Sequence, residues 1–256
     1  MGSAIAKLYK SRCGDVIDFS HEEVDISDTI KINSIFKKYK PDIIINCAAI
    51  AGNAVCEENK DLAIKVNSDA VLNLARLCHK YDCTFIHLST SGVFGDNTYH
   101  NEEEMPYPNT LYESTKLLGE KHIINNCHKY YIFRLPLLFG NPYNRGIFNN
   151  LVLQVKEGKP IKASVNHIYS YGYNKDMAEY IYDISNNYSY GIYHIYNTGC
   201  CSVYDFLKYF KKISKSKSSI CKFISDDNGF SVMNTNKQSL RQRHFKETLK
   251  DIKDDI

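Results

Sequence analysis

Several things are missing from this sequence, and each absence narrows the field. No apolar run approaches the roughly 20 residues needed to span a bilayer. The nearest candidate, Asp42-Ile43-Ile44-Ile45-Asn46, is short and flanked by polar residues. No charged-then-apolar leader is read at the start, so neither a membrane partner nor secretion is expected. There is no Cys-x-x-Cys: the nine cysteines are an odd number, scattered, with only Cys200 and Cys201 adjacent. That spacing speaks against a disulfide framework and a metal site, and for reduced thiols in a cytoplasmic protein. Neither sign of charge is in large excess. The net charge of +3 comes from acids and bases mixed along the chain, without the clustered basic face of a nucleic-acid binder. Tryptophan is absent while Asn, Lys, Ile and Tyr abound, a bias that carries no mechanism.

What is present suits a globular α/β protein. The chain has 256 residues, 43% hydrophobic and 24% charged, enough for one large core or for a domain with a smaller partner. Ala4, Ile5, Leu8 and Tyr9 share one face of an opening helix. Gly14 ends it, and Asp15-Val16-Ile17-Asp18-Phe19 reads as a short strand. A helix is expected over 29–39, with Ile32, Ile35 and Phe36 inward. Ile43-Ile44-Ile45 then reads as a strand buried on both faces. Helical spacing over 62–81, a strand at 84–88, a helix over 111–127 and a strand over 130–135 continue the alternation. That rhythm points to βαβ units and a parallel sheet. Beyond Gly140 it loosens: helices over 148–156, 175–185 and 203–213, a strand over 191–197 and an exposed Lys/Ser loop at 214–219. The expected fold is thus a Rossmann-type doubly wound sheet over 1–140. A smaller substrate-binding region would cover 141–256, with residues near 165–200 returning to the sheet.

One segment carries chemistry. In Tyr112-Glu113-Ser114-Thr115-Lys116 the Tyr and Lys stand four apart, on one face of a helix. An ammonium near a phenol favours the phenolate and lowers its pKa, which suits Tyr to proton transfer near neutral pH. Alone the pair is a weak signal in a chain with 20 tyrosines. The strand at 84–88, however, runs into Ser89-Thr90-Ser91-Gly92-Val93-Phe94-Gly95. A hydroxyl at the carboxyl end of a parallel strand faces the crevice where open α/β sheets bind ligands. Thr90 there can hydrogen-bond a substrate carbonyl.

Ser89-Thr90-x-x-Val93-Phe94 followed by Tyr112-x-x-x-Lys116-Leu117-x-Gly119-Glu120 resembles the extended short-chain dehydrogenases/reductases, the dTDP-4-dehydrorhamnose reductases especially. Lys40-Pro41-Asp42 through Cys47-Ala48-Ala49, Val66-Asn67, Phe133-Arg134-Leu135-Pro136 and Asn174-Lys175-Asp176 are similar to further landmarks in the same order. The resemblance implies a catalytic set of Thr90, Tyr112 and Lys116: Tyr112 protonates the alkoxide formed as hydride arrives, and Lys116 tunes Tyr112 and holds a ribose. It implies a cofactor site of Gly2, Asp18, Asp25, Ile26, Cys47, Ala48, Ala49, Asn67, Tyr112, Lys116 and Leu135. The cofactor is NAD or NADP, with Asp18 tilting toward NAD because an acid repels a 2′-phosphate. The substrate implied is a 4-keto nucleotide sugar, reduced in deoxysugar biosynthesis. Such folds often dimerise through helices like 62–81 and 111–127, which leaves a homodimer open, but the same apolar faces also read as core and the sequence does not fix the oligomeric state.

The sequence departs from that pattern in three places. Family members open with a strand and a Gly-x-x-Gly-x-x-Gly turn that cradles the pyrophosphate. Here Met1-Gly2-Ser3 stands at the start, Gly2 matching only the last glycine, so the first strand is expected to be missing and cofactor binding weakened. Ser91 and Gly92 occupy places where dehydratases carry Asp-Glu and fucose synthases a Cys, which favours plain ketone reduction. Met233-Asn234-Thr235-Asn236-Lys237 matches a landmark, but Asp226 to Ser231 stands where an Arg-Pro usually precedes it. Two alternatives stay open: a non-catalytic regulatory or binding relative, as with the beta subunit of methionine adenosyltransferase, and a nucleotide-sugar epimerase.

Overall fold

The computed structural model describes residues 1–95, 98–140, 146–226, 229–237 and 242–255. It opens with helix α1 (Gly2–Cys13) and helix α2 (Thr29–Tyr39). The Asp28 carboxylate caps α2 by accepting from the Ile30 and Lys31 amides. Strand β1 (Ile43–Asn46) leads to short helices α3 (Asn53–Glu58) and α4 (Lys60–Ile64). A π-turn over Lys65–Asp69 then joins α4 to α5 (Ala70–Lys80). Strands β2 (Thr84–Thr90) and β3 (Tyr99–His100) precede helix α6 (Leu111–Asn126) and strand β4 (Tyr130–Leu135).

The second half runs β5 (Leu137–Phe139), α7 (Ile147–Lys156), β6 (Ile161–Ser164), β7 (Ile168–Tyr173) and α8 (Asn174–Asn187). It ends with β8 (Gly191–His194), β9 (Asn197–Ser202), α9 (Val203–Ser214), β10 (Ile220–Phe223), β11 (Phe230–Met233) and α10 (Phe245–Asp255).

Four strands form an all-parallel sheet in the order β1-β2-β4-β8. Helices cover both faces, as parallel sheets require. On one face α1 and α8 press Ile5, Tyr9, Met177 and Ile181 against Ile86 and Phe133. On the other, α2, α5 and α6 bring Phe36, Leu74, Leu77 and Ile123 onto Phe85 and Ile132. A second core, built around Phe139, Tyr171, Phe206, Phe210, Phe245 and Leu249, joins the elements after residue 137. It backs a sheet of order β3-β11-β7-β5, with β9 antiparallel to β7. This is the Rossmann-type α/β architecture read from the sequence. The expected boundary at 140/141 falls against residues 141–145, which lie outside the described residues, as do 227 and 228 of the segment replacing Arg-Pro.

Several expectations need correction. Residues 15–19 are not a strand: the segment is irregular, with Ile17 56% and Phe19 42% exposed, and a strand needs a hydrogen-bonding neighbour, which this segment does not find among the described residues. β1 is not buried on both faces, because it stands at the end of its sheet with Ile43 exposed. The helix over 62–81 is interrupted by the π-turn. The strand over 191–197 is two, β8 and β9, belonging to different sheets. In the Lys/Ser loop Ser218 is buried, its hydroxyl donating to the Lys159 carbonyl.

Candidate active site

Three strand ends and two helix starts converge at the carboxyl edge of the parallel sheet. Thr90 is the last residue of β2, in register with Leu135 at the end of β4. Helix α6 is started there by a capping box: the Thr110 hydroxyl accepts from the Glu113 amide, and the Glu113 carboxylate accepts from the Thr110 amide. Such a box satisfies two otherwise orphaned donors and fixes the first turn, and Tyr112 sits in that turn. The Thr90 hydroxyl accepts from the Gly92 amide at 3.1 Å and stands close enough to the Tyr112 phenol to lower its pKa.

Lys116 lies one turn further along α6, 2% exposed. Its Nζ donates to the Leu88 carbonyl at 2.7 Å and lies 3.2 Å from His87 Nε2. The sequence predicts that Lys116 depresses the Tyr112 pKa; the structure gives a different balance. Burial pushes Tyr112 up to about 12, opposed by the Thr90 hydroxyl, while Cys56 and Glu113 raise it further. The Lys116 side chain is engaged inward, and burial pulls it down to about 8 against the pull of Glu120 and Cys47.

The expected cofactor residues divide. Gly2 begins α1 and abuts the end of β1: a Cβ there would stand 3.4 Å from Cys47 Cβ. Cys47 in turn acts electrostatically on Lys116, so Gly2, Cys47, Lys116, Thr90, Tyr112 and Leu135 cluster at one sheet edge. The Ala48 amide donates to Asn46 Oδ1 at 3.0 Å, and Ala49 beside it is exposed. Asn67, buried in the π-turn, clamps Ile50 by donating to its carbonyl and accepting from its amide, both at 2.9 Å. It also donates to the Thr115 hydroxyl at 3.1 Å, tying the loop after β1 to α6.

Gly119 makes that approach possible, since a Cβ there would meet the Asn67 carbonyl at 2.5 Å. Asp25 accepts from the Ser27 amide at 2.8 Å, which lowers its pKa, and Ile26 packs against the α2–α5 core. Asp18 stands apart from the cluster on the irregular segment, half-exposed and ion-paired with Lys10. The NAD preference therefore has no strand-end carboxylate behind it.

Two buried groups escaped the sequence reading. His87 is fully buried between Lys116 and Asn46, whose Nδ2 lies 3.3 Å from Nδ1. Glu120 is ion-paired with Arg134 at 2.8 Å, both essentially inaccessible, and accepts from the Ser89 hydroxyl. A signal was available. His87 and Ser89 alternate on one face of β2, at a spacing that matches Lys116 and Glu120 one turn apart on α6, and Arg134 is in register with Ser89. Among the described residues no group of His, Cys, Asp and Glu is placed to hold a metal, and no helix is long and apolar enough to cross a membrane.

A doubly wound parallel sheet with hydroxyl, phenol and amine gathered at its carboxyl edge defines the Rossmann-type short-chain reductase class. Within that class the chain belongs to the RmlD substrate binding domain family, whose model matches residues 1–252. It is 27% identical over 264 residues to the spore coat polysaccharide biosynthesis protein SpsK of Bacillus subtilis, covering 98% of this chain and 92% of that one. Methionine adenosyltransferase 2 subunit beta of Bos taurus is 35% identical over 120 residues, 46% of this chain and 36% of that protein.

Among solved structures, a dTDP-4-dehydrorhamnose reductase from Clostridium acetobutylicum superposes with a TM-score of 0.90 at 26% identity, over 99% of this chain and 94% of that one. The Bacillus anthracis dTDP-4-dehydrorhamnose reductase, solved in complex with NADP, gives a TM-score of 0.88 at 24% identity, over 97% and 94% of the two chains. This family is one of NAD(P)-binding oxidoreductases of the deoxysugar type.

Proposed function

We propose that the protein reduces a 4-keto nucleotide sugar with a nicotinamide dinucleotide. The observation that carries this reading is the placement of Thr90, at the end of β2, close to Tyr112 in the first turn of α6, with Lys116 one helical turn further on. Thr90 and Tyr112 present two hydroxyls to one point, where a ketone oxygen can be polarised and then protonated. Tyr112 delivers its proton to the nascent alkoxide, and Thr90 holds that oxygen in place. Lys116 is the group to hold a ribose hydroxyl and restore charge near Tyr112.

The residues at hand suit a dinucleotide. The 12-residue helix α1 starts beside Cys47 with no side-chain cap at its N-terminus, a favourable end for phosphate. Cys47, Ala48 and Ala49 offer a small-residue path from there toward Lys116. The dinucleotide, when bound, supplies the hydride. Ser91 and Gly92 after Thr90 bring no carboxylate or thiol for dehydration or epimerisation, which favours plain reduction over the epimerase reading.

The test is calorimetric titration with NADPH and with NADH, then turnover of a dTDP-4-keto-6-deoxyhexose followed by loss of reduced-nicotinamide absorbance. Micromolar binding and turnover abolished in Tyr112→Phe support the reading; binding of neither dinucleotide sinks it. A second reading, a non-catalytic binding subunit, draws on the similarity to methionine adenosyltransferase 2 subunit beta. It is favoured if the protein binds sugar nucleotide or dinucleotide without turnover.

A further inference from the structure

The buried row Ala48–Asn46–His87–Lys116 poses a problem of donors and acceptors. The Ala48 amide can only donate, so the Asn46 atom it meets at 3.0 Å is the carbonyl Oδ1. That fixes the Asn46 amide orientation and turns its NH2 toward His87 Nδ1, 3.3 Å away. Nδ1 therefore accepts, and a neutral imidazole then carries its proton on Nε2. Burial, first, and the field of Lys116 hold His87 well below the ordinary histidine pKa, so the ring is neutral. Its Nε2–H points at Lys116 Nζ, 3.2 Å away.

An ammonium has three donors and no acceptor, whereas a free amine has a lone pair. With Lys116 charged, two donors face each other either at Nε2 or, after a tautomer change, at Nδ1. With Lys116 neutral the whole row is satisfied: Nζ accepts from His87 and donates to the Leu88 carbonyl at 2.7 Å.

We propose that His87 is a positioning residue for Lys116: it holds the side chain as a free amine through Nε2–H, and its tautomer changes in step when Lys116 takes up a proton. The groups facing Nζ agree. Glu120 on α6 favours the ammonium but is matched by Arg134 from β4 at 2.8 Å; Cys47 beyond β1, its thiol pushed up to about 11 by burial, is uncharged there, and His87 from β2 opposes the ammonium. The net effect of burial is a Lys116 that titrates at about 8.

The functional consequence rests on the reading of the preceding subsection. A neutral Lys116 gives Tyr112 no help in ionising, whereas a charged one does, so proton uptake from solvent onto Nζ arms Tyr112. A ribose hydroxyl accepting from Nζ would favour that uptake.

The deciding experiment is NMR of the purified protein labelled with 15N-histidine and with 13C at the lysine ε-carbons, from pH 6.5 to 10. The expected result at pH 9 is a His87 with Nε2 protonated and Nδ1 as acceptor. Lowering the pH through about 8 should protonate Lys116 and shift His87 toward the Nδ1–H tautomer at the same midpoint. In His87→Phe the Lys116 midpoint should rise by at least about one pH unit, the worth of one lost buried hydrogen bond. An Nδ1–H ring at pH 9, or a Lys116 that titrates above 10 like an ordinary lysine, overturns the proposal.

The wild-type tautomer decides the matter even if the variant fails to fold. NADPH titration at pH 9 in buffers of different ionisation enthalpy adds the second arm: proton uptake on binding, lost in Lys116→Met, is expected, and binding without uptake overturns the arming step. Absence of any binding would refute the proposed reduction while leaving the tautomer result to stand or fall by itself.

Discussion

At the scale of single residues the site is a competition between burial and hydrogen bonding. Tyr112, pushed up to about 12, is a proton donor and not a base at neutral pH. Replacing it with Phe is expected to lower turnover about 100-fold or more, the usual worth of a positioned acid, read as loss of reduced-nicotinamide absorbance. Lys116 leaves a different signature. Between about 8 and the ordinary lysine value of 10.5 the unfolded chain holds a proton that the folded protein lacks. The stability contributed by this residue therefore rises with pH across that window and is flat below it. Urea unfolding at pH 7.5 and 9.5 should show the wild type gaining stability relative to Lys116→Met; equal changes in the two proteins would refute the burial argument. Tyr112, Lys116 and Thr90 were legible because their spacing and their place after a strand are visible in one dimension. For His87 and Glu120 only the matching spacing on β2 and α6 was visible; what makes them matter is which element lies beside which, and a chain read in order does not show its register.

At the scale of elements, α6 is the part whose placement the site depends on. Its capping box is expected to be worth about 1 kcal/mol, so Thr110→Ala should lower the unfolding free energy measured in urea by that much and loosen Tyr112. Gly119→Ala should cost about 1–3 kcal/mol, because the new Cβ meets the Asn67 carbonyl; a variant as stable as the wild type would mean that the π-turn gives way easily. The ion pair between α6 and β4 should behave asymmetrically. Glu120→Gln strands a buried guanidinium at a cost of about 3–5 kcal/mol, while replacing Glu120 and Arg134 together with apolar residues recovers most of it. Thermal unfolding of the two variants checks this. Elements with strong periodicity were legible: the expected α2 and β4 coincide with those observed. The strand expected at 15–19 was not, because alternating apolar residues record a capacity to pair and not the presence of a partner.

At the scale of the whole molecule, the family model covers residues 1–252, and the elements after β5 build their own core while β8 crosses back to complete the parallel sheet. The last strand of that sheet and the second core thus share a short connection, β8 to β9. A dinucleotide present at 100 times its Kd should raise the unfolding free energy by about 2.7 kcal/mol, read as a shift in thermal midpoint. The position of β1 has a consequence of another kind. Among the described residues β1 pairs only with β2, and Ile43 at its start is exposed, so the floor leading to Cys47, Ala48 and Ala49 hangs from an edge strand of its sheet. Its amides belong to the region expected to open first in native-state hydrogen exchange. Whatever occupies that floor then acts as a clasp on the sheet's loose edge, and occupancy can be read as slowed exchange at residues 43–50 without any assay of turnover.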